Sequence, residues 1–215
     1  MISLLIVALG LGTIPVSGST PAPVGEPLGV KMVSESVIFQ IEGDDVLVNA
    51  TYVFKNLTAK PVTVPTEIQL SPVDEKVQFE AWSLGGFAAT LDKKPLPFTR
   101  TTWNPEKSQR PTYRFTLNCV ANGTHALRLT YRAGQIRLER ERTFVYVNAG
   151  AAKWADKVDI ANYSFKYTLK TVFAIKSLEP DYKWQWGETG AFARRTNFEP
   201  NPKEEIRLNY WPGDF

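Results

Sequence analysis

The stretch "VIFQIEGDDVLVNATYVFKN", residues 37–56, alternates apolar and polar residues on both sides of a short acidic turn. Successive side chains of a β-strand point to opposite faces, so this alternation predicts two strands that each bury one face. Gly43, Asp44 and Asp45 provide the turn of a β-hairpin. The predicted buried face consists of Val37, Phe39 and Ile41 in the first strand and of Val46, Val48, Ala50, Tyr52 and Phe54 in the second. The opposite face has no convergent acid, base or metal ligand and is expected to meet solvent or a second sheet.

The same two-residue period recurs along the chain. It predicts strands in "AKPVTVPTEIQL" (59–70), "VQFEAWSL" (77–84), "RLERER" (137–142), "DYKWQW" (181–186) and "EIRLNYW" (205–211), among others. Regular short strands separated by turn residues are typical of an antiparallel β-sandwich. We therefore predict an all-β fold of about ten to thirteen strands with little or no helix. Residues 30–215 are expected to form it, as one domain or as two packed β subdomains.

The first residues, "MISLLIVALGLGTIPVSGSTPAPVG", are uncharged and apolar as far as Val16 and then become small and polar. An apolar segment of about 7–15 residues followed by small residues is typical of an export signal. We predict a signal peptide over residues 1–19, a linker over 20–29 and a mature chain that begins near Ser19 or Thr20. No later segment has the ~20 apolar residues of a membrane-spanning helix. The expected location is therefore extracytoplasmic, secreted or periplasmic, with no transmembrane segment after removal of the signal.

Charge and composition exclude several classes of function. The 25 basic and 22 acidic residues give a net charge of +3, too small an excess for a nucleic-acid-binding surface. Cys119 is the one cysteine, and its phase in "TYRFTLNCV" predicts a buried thiol. His125 is the one histidine and is expected to point to solvent at a strand end, because no Gly-x-Ser-x-Gly motif accompanies it. These residues predict no metal, no cofactor and no nucleophilic triad.

Paired carboxylates and glycosylation sequons leave two questions open. Asp44–Asp45 and Asp74–Glu75 could serve the acid chemistry of a glycosidase, although turn formation is the preferred interpretation. Asn-x-Ser/Thr sequons begin at Asn56 and Asn122, where predicted turns would leave the side chains accessible, and also at Asn49 and Asn162. Whether any of the four is glycosylated depends on the host.

Five residues are candidates for ligand binding. The alternation in "DYKWQW" places Tyr182, Trp184 and Trp186 on one strand face, where they form either a stacking platform or part of the core. Of these two interpretations, core packing is preferred. In "RLERER", Arg140 and Arg142 share a face with Leu138 and are a candidate anion-binding pair, with solvent screening of an exposed strand as the alternative.

Two segments carry a resemblance to known proteins. The run "VKMVSESVIFQIEGDDVLVNATYVFKN" (30–56) resembles the opening hairpin of exported bacterial β-sandwich proteins of uncharacterised function. It is similar, more distantly, to the start of the vault/inter-α-trypsin-type β domain. The run "FVYVNAGAAKWADKVDIANYSFKY" (144–167) resembles the same bacterial proteins in its Tyr strand and Gly-x-x-x-Trp loop. The resemblance implies a fold and a compartment and carries over no catalytic residue.

Together these features predict a non-catalytic extracytoplasmic binding or structural module, whose partner is an unknown protein or glycan of the cell envelope or extracellular space. The alternative is a carbohydrate-binding or carbohydrate-active protein that uses the aromatic row Tyr182, Trp184 and Trp186 together with paired carboxylates. A cleft lined by two acids would favour the enzyme. A flat aromatic surface without such a cleft would favour binding.

Overall fold

A computed structural model describes residues 16–69, 71–72, 85–101 and 112–213. Within these ranges the regular elements are β-strands, apart from one short 3-10 helix over Ala149–Lys153, and there is no α-helix. The predicted strand 77–84, the acidic pair Asp74–Glu75 and most of the predicted signal peptide lie outside the described residues. None of the described helices is long and apolar enough to cross a membrane.

The strands of the described residues number eighteen, and six of them contain only two or three residues. They are β1 (Val16–Ser19), β2 (Ala22–Pro23), β3 (Val30–Glu42), β4 (Asp45–Asn56), β5 (Val62–Gln69), β6 (Ser71–Pro72), β7 (Gly85–Leu91), β8 (Lys94–Pro95), β9 (Thr99–Thr101), β10 (Thr112–Cys119), β11 (Thr124–Gly134), β12 (Ile136–Leu138), β13 (Glu141–Val147), β14 (Val158–Lys166), β15 (Val172–Glu179), β16 (Gln185–Gly187), β17 (Gly190–Phe198) and β18 (Glu205–Pro212).

These strands form three sheets. The largest has the order β16-β17-β14-β3-β4-β11-β7-β8, the second is β15-β18-β13-β1-β6 with β12 paired to β13, and the third is β2-β5-β10-β9. Nearly all pairs are antiparallel, the exceptions being β1 with β13 and β3 with β14. The predicted all-β, mostly antiparallel sandwich is therefore confirmed.

The opening hairpin has the predicted form. Strands β3 and β4 pair antiparallel from Val30↔Asn56 to Glu42↔Asp45, around a turn at Gly43 and Asp44. All eight residues of the predicted buried face are at most 2% exposed. The hairpin lies in the middle of the eight-stranded sheet, so its apolar face forms one side of the hydrophobic core.

Side chains of the two smaller sheets pack on the apolar face of the eight-stranded sheet. Phe39 of β3 contacts Phe144 and Tyr146 of β13, with ring centroids 5.3 and 5.1 Å apart. Phe87 of β7 stacks on Tyr113 of β10 at 4.2 Å. Residues from all three sheets thus belong to one buried apolar cluster.

The N-terminal segment differs from the predicted linker over its first four residues. Thr20 is 2% exposed and its backbone N–H donates to the Val147 carbonyl at 3.0 Å, while Ala22–Pro23 pair with β5. Just before them, β1 lies so close to the core that a Cβ on Gly18 would sit 2.5 Å from the Tyr131 hydroxyl. Residues 16–23 are therefore part of the folded sheets, and export stays a prediction.

The segments 137–142 and 182–186 are not the regular strands that the alternation predicts. Leu138 pairs with Glu141 at the end of a tight hairpin, so Glu139 and Arg140 form a two-residue turn, with Glu139 at a φ of 48°. Tyr182 to Trp184 precede β16 as irregular chain, with Lys183 at a φ of 59°. Alternating polarity was misleading here because charged and aromatic residues also suit turns and loops at the edge of a sheet.

Candidate functional site

One acidic side chain lies on the apolar face of the opening hairpin. Glu35 of β3 is fully buried, in phase with Val37 and Phe39. The shift of register between Met32 and Ser34 acts on the residues before it: one extra residue reverses the alternation, so Val30 and Met32 share the buried face with Glu35. The predicted polar face thus has no acid cluster, whereas the buried face has an acid.

Two donors hold this carboxylate. The Tyr163 hydroxyl of β14 and the Asn148 side-chain amide, at 3.3 Å, both donate to Oε1 of Glu35. The other oxygen, Oε2, has no hydrogen-bond partner among the described residues. Burial raises the pKa of Glu35 from 4.5 to about 7, and the negative charge of Glu204 acts in the same direction against the two hydrogen bonds. The folded protein therefore binds a proton at Glu35 more tightly than an exposed glutamate does.

Asn148 is the centre of a buried group of hydrogen bonds that we call the Asn148 network. It comprises Thr20, Glu35, Tyr52, Tyr146, Asn148, Tyr163 and Glu204. The Asn148 amide also donates to the Tyr163 hydroxyl at 2.7 Å, and its Oδ1 accepts from the Thr20 hydroxyl at 2.6 Å. Because the Thr20 proton is used in this way, Tyr146 must donate to Thr20 at 3.1 Å. Tyr52 must then donate to Tyr146 at 2.6 Å.

The Asn148 network ends near the surface at an ion pair. Glu204 accepts a hydrogen bond from Nη1 of Arg195 at 2.7 Å. The Arg195 guanidinium lies over the rings of Tyr182 and Phe198, at 4.5 and 3.9 Å from their centroids. Because Glu35 is fully buried and each member of the network bonds to another member, these side chains contribute to the packing of the interior, with Oε2 of Glu35 as the one buried network oxygen that lacks a described partner.

The three residues of the predicted aromatic row lie in different environments. Tyr182 and Trp184 are half-buried, with Tyr182 stacked on Tyr163 at 5.6 Å and Trp184 against Phe165 at 5.8 Å. The Trp184 indole N–H donates to the Pro180 carbonyl at 2.9 Å. Trp186, by contrast, is 54% exposed. The three rings therefore form no continuous platform.

The candidate arginine pair lines a cleft that we call the arginine cleft. Its walls are Glu139 and Arg140 of the hairpin turn, Arg142 of β13, Phe173 of β15, and Trp211 with the adjoining Pro212–Gly213 at the end of β18. The cleft volume is about 860 Å³. Phe173 and Trp211 are 73% and 47% exposed, although large apolar side chains are usually buried in a β-sandwich.

The two guanidinium groups of the arginine cleft have no carboxylate partner among the described residues. Arg142 donates to the backbone carbonyl of Glu141 at 3.2 Å, and Arg140 lies exposed at the tip of the turn. Arg142 pairs in register with Tyr210, and its positive charge opposes the burial that raises the pKa of the Tyr210 hydroxyl to about 12. The cleft thus combines two features: arginines that have no carboxylate partner among the described residues, and exposed aromatic rings.

A second cleft shows the opposite arrangement. It has a volume of about 540 Å³ and is lined by Val24, Leu96, Phe98, Phe115 and other residues between β8, β9 and β10. Its one charged group, Arg114, forms an ion pair with Glu67 at 3.1 Å. Because that charge is already matched, this cleft has less to offer a charged ligand.

The prediction for His125 is wrong. Its side chain is 9% exposed, Nδ1 pairs with Asp92 at 2.7 Å, and Nε2 accepts the Val120 backbone N–H at 3.1 Å. Nδ1 therefore carries the proton and donates to Asp92, so both ring nitrogens are used in joining two turns. The described residues contain no cluster of three or more groups able to hold a metal ion.

The prediction that the Asn56 side chain is accessible is also wrong. Asn56 is fully buried, and its amide donates to the carbonyls of Lys60 and Val120 at 2.8 and 3.0 Å. Asn122 is exposed, as expected, at a φ of 54°. Cys119 is buried, as expected, and burial raises the pKa of its thiol to about 11.

Sequence reasoning missed four of the residues that matter here. The burial of Glu35 could have been predicted from the sequence, because Glu35 precedes Val37 by two residues and so falls on the predicted buried face. The exposure of Phe173 and Trp211 had weaker support in the sequence: each directly follows a buried residue, Val172 or Tyr210, and so falls on the opposite face of its strand. Asn148 had none, because its partners come from distant strands.

The sequence matches no protein-family model, and no curated protein matches it. The structure is similar to that of a candidate nutrient-binding protein from Legionella pneumophila subsp. pneumophila str. Philadelphia 1, with a TM-score of 0.72 and 17% identity over 93% of this chain and 72% of that one. It is also similar to part of yeast LTA4 hydrolase, with a TM-score of 0.50 and 9% identity. The chain covers only 29% of that enzyme's length, against 86% of its own. At these identities the likeness shows a shared all-β fold.

Proposed function

We propose that this protein is a non-catalytic, extracytoplasmic binding module and that its ligand occupies the arginine cleft. The observation that carries this proposal is the meeting of Arg140 and Arg142, both without a described carboxylate partner, with the exposed rings of Phe173 and Trp211 in one cleft. Its volume of about 860 Å³ lies within the ~300–1,000 Å³ that is usual for small-molecule sites.

Physical chemistry favours occupation of such a cleft. Burying apolar surface stabilises a complex by about 25 cal/mol per Å², and an aromatic ring buries up to ~150–250 Å². Arginine adds direction, because its planar guanidinium donates two parallel hydrogen bonds to one carboxylate or phosphate group. Aromatic walls with a few oriented polar groups are the usual composition of a ligand site. The candidate nutrient-binding role of the Legionella protein supports the same conclusion.

The arrangement of acids favours binding over catalysis. Hydrolysis of a glycosidic bond needs two carboxylates on opposite sides of that bond. The arginine cleft contains one, Glu139, among its described residues. Glu35 is fully buried, Glu204 is paired with Arg195 at 2.7 Å, and Asp44 is paired with Arg137 at 2.7 Å. One histidine in 215 residues also leaves this chain without the His-Glu-x-x-His motif of zinc peptidases.

Binding at the arginine cleft is testable with the six tryptophans as reporters. Each indole N–H gives one signal in a ¹⁵N–¹H spectrum, and Trp211→Phe and Trp186→Phe variants assign two of them. We expect members of a panel of acidic and neutral saccharides and small carboxylic acids to shift the Trp211 signal. Trp186 is the matched control, because it is 54% exposed but lies outside the cleft. A panel that never moves Trp211, or that moves both signals equally, would contradict the proposal.

The extracytoplasmic location rests on the apolar leader that precedes β1. The structure changes the expected cleavage point, because β1 pairs with β13 and the next residue, Thr20, belongs to the Asn148 network. We expect cleavage before Val16, which the intact mass of the exported product would show. A chain that retains Met1 would contradict export. A mature chain that starts at Ser19 or Thr20 would show instead that the folded product lacks most or all of β1.

A further inference from the structure

We propose that the arginine cleft recognises a carboxylate carried on a hydroxylated ring, the chemistry of a uronic acid unit in an acidic glycan. This inference rests on the proposed binding function and specifies the ligand. It follows from three properties of the cleft: two arginines without a described carboxylate partner, one acid among the lining residues, and two exposed aromatic rings in the same lining.

The charges of the cleft match a single carboxylate. Arg140 and Arg142 contribute two positive charges and Glu139 one negative charge, which leaves a net charge of +1. A carboxylate neutralises that charge, whereas a doubly charged phosphate would leave an excess negative charge next to Glu139. Placing like charges together in a partly dehydrated site is unfavourable. The cleft is therefore better suited to a carboxylate than to a phosphate.

Glu139 also distinguishes a sugar acid from a purely aromatic acid. An ionised carboxylate only accepts hydrogen bonds, so within a complex it needs a donor from the ligand once water is displaced. Ring hydroxyls supply such donors, and benzoate has none. Glu139 is exposed and has no ion pair among the described residues, so its oxygens are accessible to a ligand.

The exposed aromatic side chains are the reason for proposing a sugar ring in the ligand. Phe173 and Trp211 come from β15 and β18, which are neighbours in one sheet, with Ala174 opposite Trp211 in the register. A pyranose ring has a weakly polar face that can cover an indole or phenyl ring while its edge hydroxyls remain free to form hydrogen bonds. The same ligand could thus meet the two arginines with its carboxylate and an aromatic wall with its ring face.

Four probes test this assignment on the full chain: digalacturonate, its dimethyl ester, benzoate and inorganic phosphate. Affinities from calorimetry are read together with the Trp211 indole signal. We expect digalacturonate to bind at least about tenfold more tightly than its ester, because charge-assisted hydrogen bonds contribute more than neutral ones. The Arg140→Gln/Arg142→Gln double variant should lose about tenfold or more of that affinity. Arg128→Gln, an exposed arginine of β11 outside the cleft, should leave it unchanged.

The outcomes separate this inference from the function on which it rests. The ligand assignment is overturned, and the binding site retained, if the ester binds as tightly as digalacturonate or if benzoate or phosphate moves Trp211 more strongly. Both proposals fail if neither these probes nor the wider panel move the Trp211 signal. Arg140 is exposed, and Arg142 is half-buried and donates to the Glu141 carbonyl, so we expect the double variant to melt close to wild type. A melt that matches wild type shows that lost binding does not result from misfolding.

Discussion

The Asn148 network and the arginine cleft both gather polar side chains from several strands, but they differ in how those groups are satisfied. In the network, Glu35 and Asn148 are fully buried, and hydrogen bonds to other side chains replace water. In the cleft, Arg140 is exposed and Arg142 is half-buried, both lie beside exposed aromatic rings, and neither has a described carboxylate partner. Groups bonded to one another stabilise a fold, whereas unmatched groups at a cleft remain available to bind something else.

The largest expected effect tests the first half of this contrast. Asn148→Ala removes the donor to Glu35 and Tyr163 and the acceptor for Thr20. Because each buried group left unpaired costs about 1–3 kcal/mol, we expect a loss of about 3 kcal/mol or more in the free energy of unfolding. Denaturant unfolding measures it. The matched control is Asn118→Ala, an exposed asparagine bonded to Thr63 at 3.2 Å, which should change stability by less than about 0.5 kcal/mol. Equal effects of the two variants would mean that the network contributes nothing.

The pH dependence of stability provides the second test. Glu35 has a pKa of about 7 in the folded protein against 4.5 otherwise, so the folded state binds the proton more tightly. The resulting stabilisation is complete below about pH 4.5 and is lost as the pH rises through about 7. The loss is at most about 3.5 kcal/mol, at ~1.4 kcal/mol for each unit between these two pKa values.

The Glu35→Gln variant separates the contribution of Glu35 from that of other acids. Asp92, for example, has a lowered pKa in the folded protein, so its contribution to stability is lost as the pH decreases. We expect wild type to lose stability relative to Glu35→Gln between pH 5 and 8, as measured by denaturant unfolding at several pH values. A stability difference that stays constant over this range would show that Glu35 is ionised in the folded protein.

The smallest effect compares one tryptophan from each region. Trp184 is half-buried against Phe165 and Tyr182, at the edge of the Asn148 network. Trp184→Ala should cost about 2 kcal/mol, less than the ~3–5 kcal/mol of a fully buried aromatic residue. Trp211→Ala should change stability by less than about 1 kcal/mol, as exposed substitutions usually do. Thermal melts of both variants measure the difference. A larger loss for Trp211→Ala would mean that the arginine cleft supports the fold and would weaken its assignment as a binding site.

The sequence predicted the fold well because its main signal is local. Alternation in residues 37–56 was enough to assign both strands, their turn and their buried faces, and all eight assigned core residues are buried. The same rule would have placed Glu35 in the core. It failed at Arg140 and at Tyr182, where a turn and an irregular segment contain residue types that also occur in edge strands.

The candidate site was predictable only in part. Arg140 and Arg142 were selected because they are close in sequence, and the structure does place both at one cleft. Their aromatic neighbours could not be selected, because Phe173 and Trp211 become neighbours of Arg142 only when β18 pairs with β13 and β15. His125 and Asn56 were misjudged for the same reason, since the groups that bury them belong to other turns.

The sequence by itself thus determined the all-β class, the opening hairpin and the apolar face on which the sheets pack, because the direction of a side chain from a strand depends on position along that strand. The tertiary structure decided which polar groups meet: Glu35 with Tyr163 and Asn148 in the interior, and two arginines with two aromatic rings at the surface. Such meetings depend on the pairing and stacking of strands far apart in the chain, and residue order alone does not specify which distant side chains come within hydrogen-bonding distance.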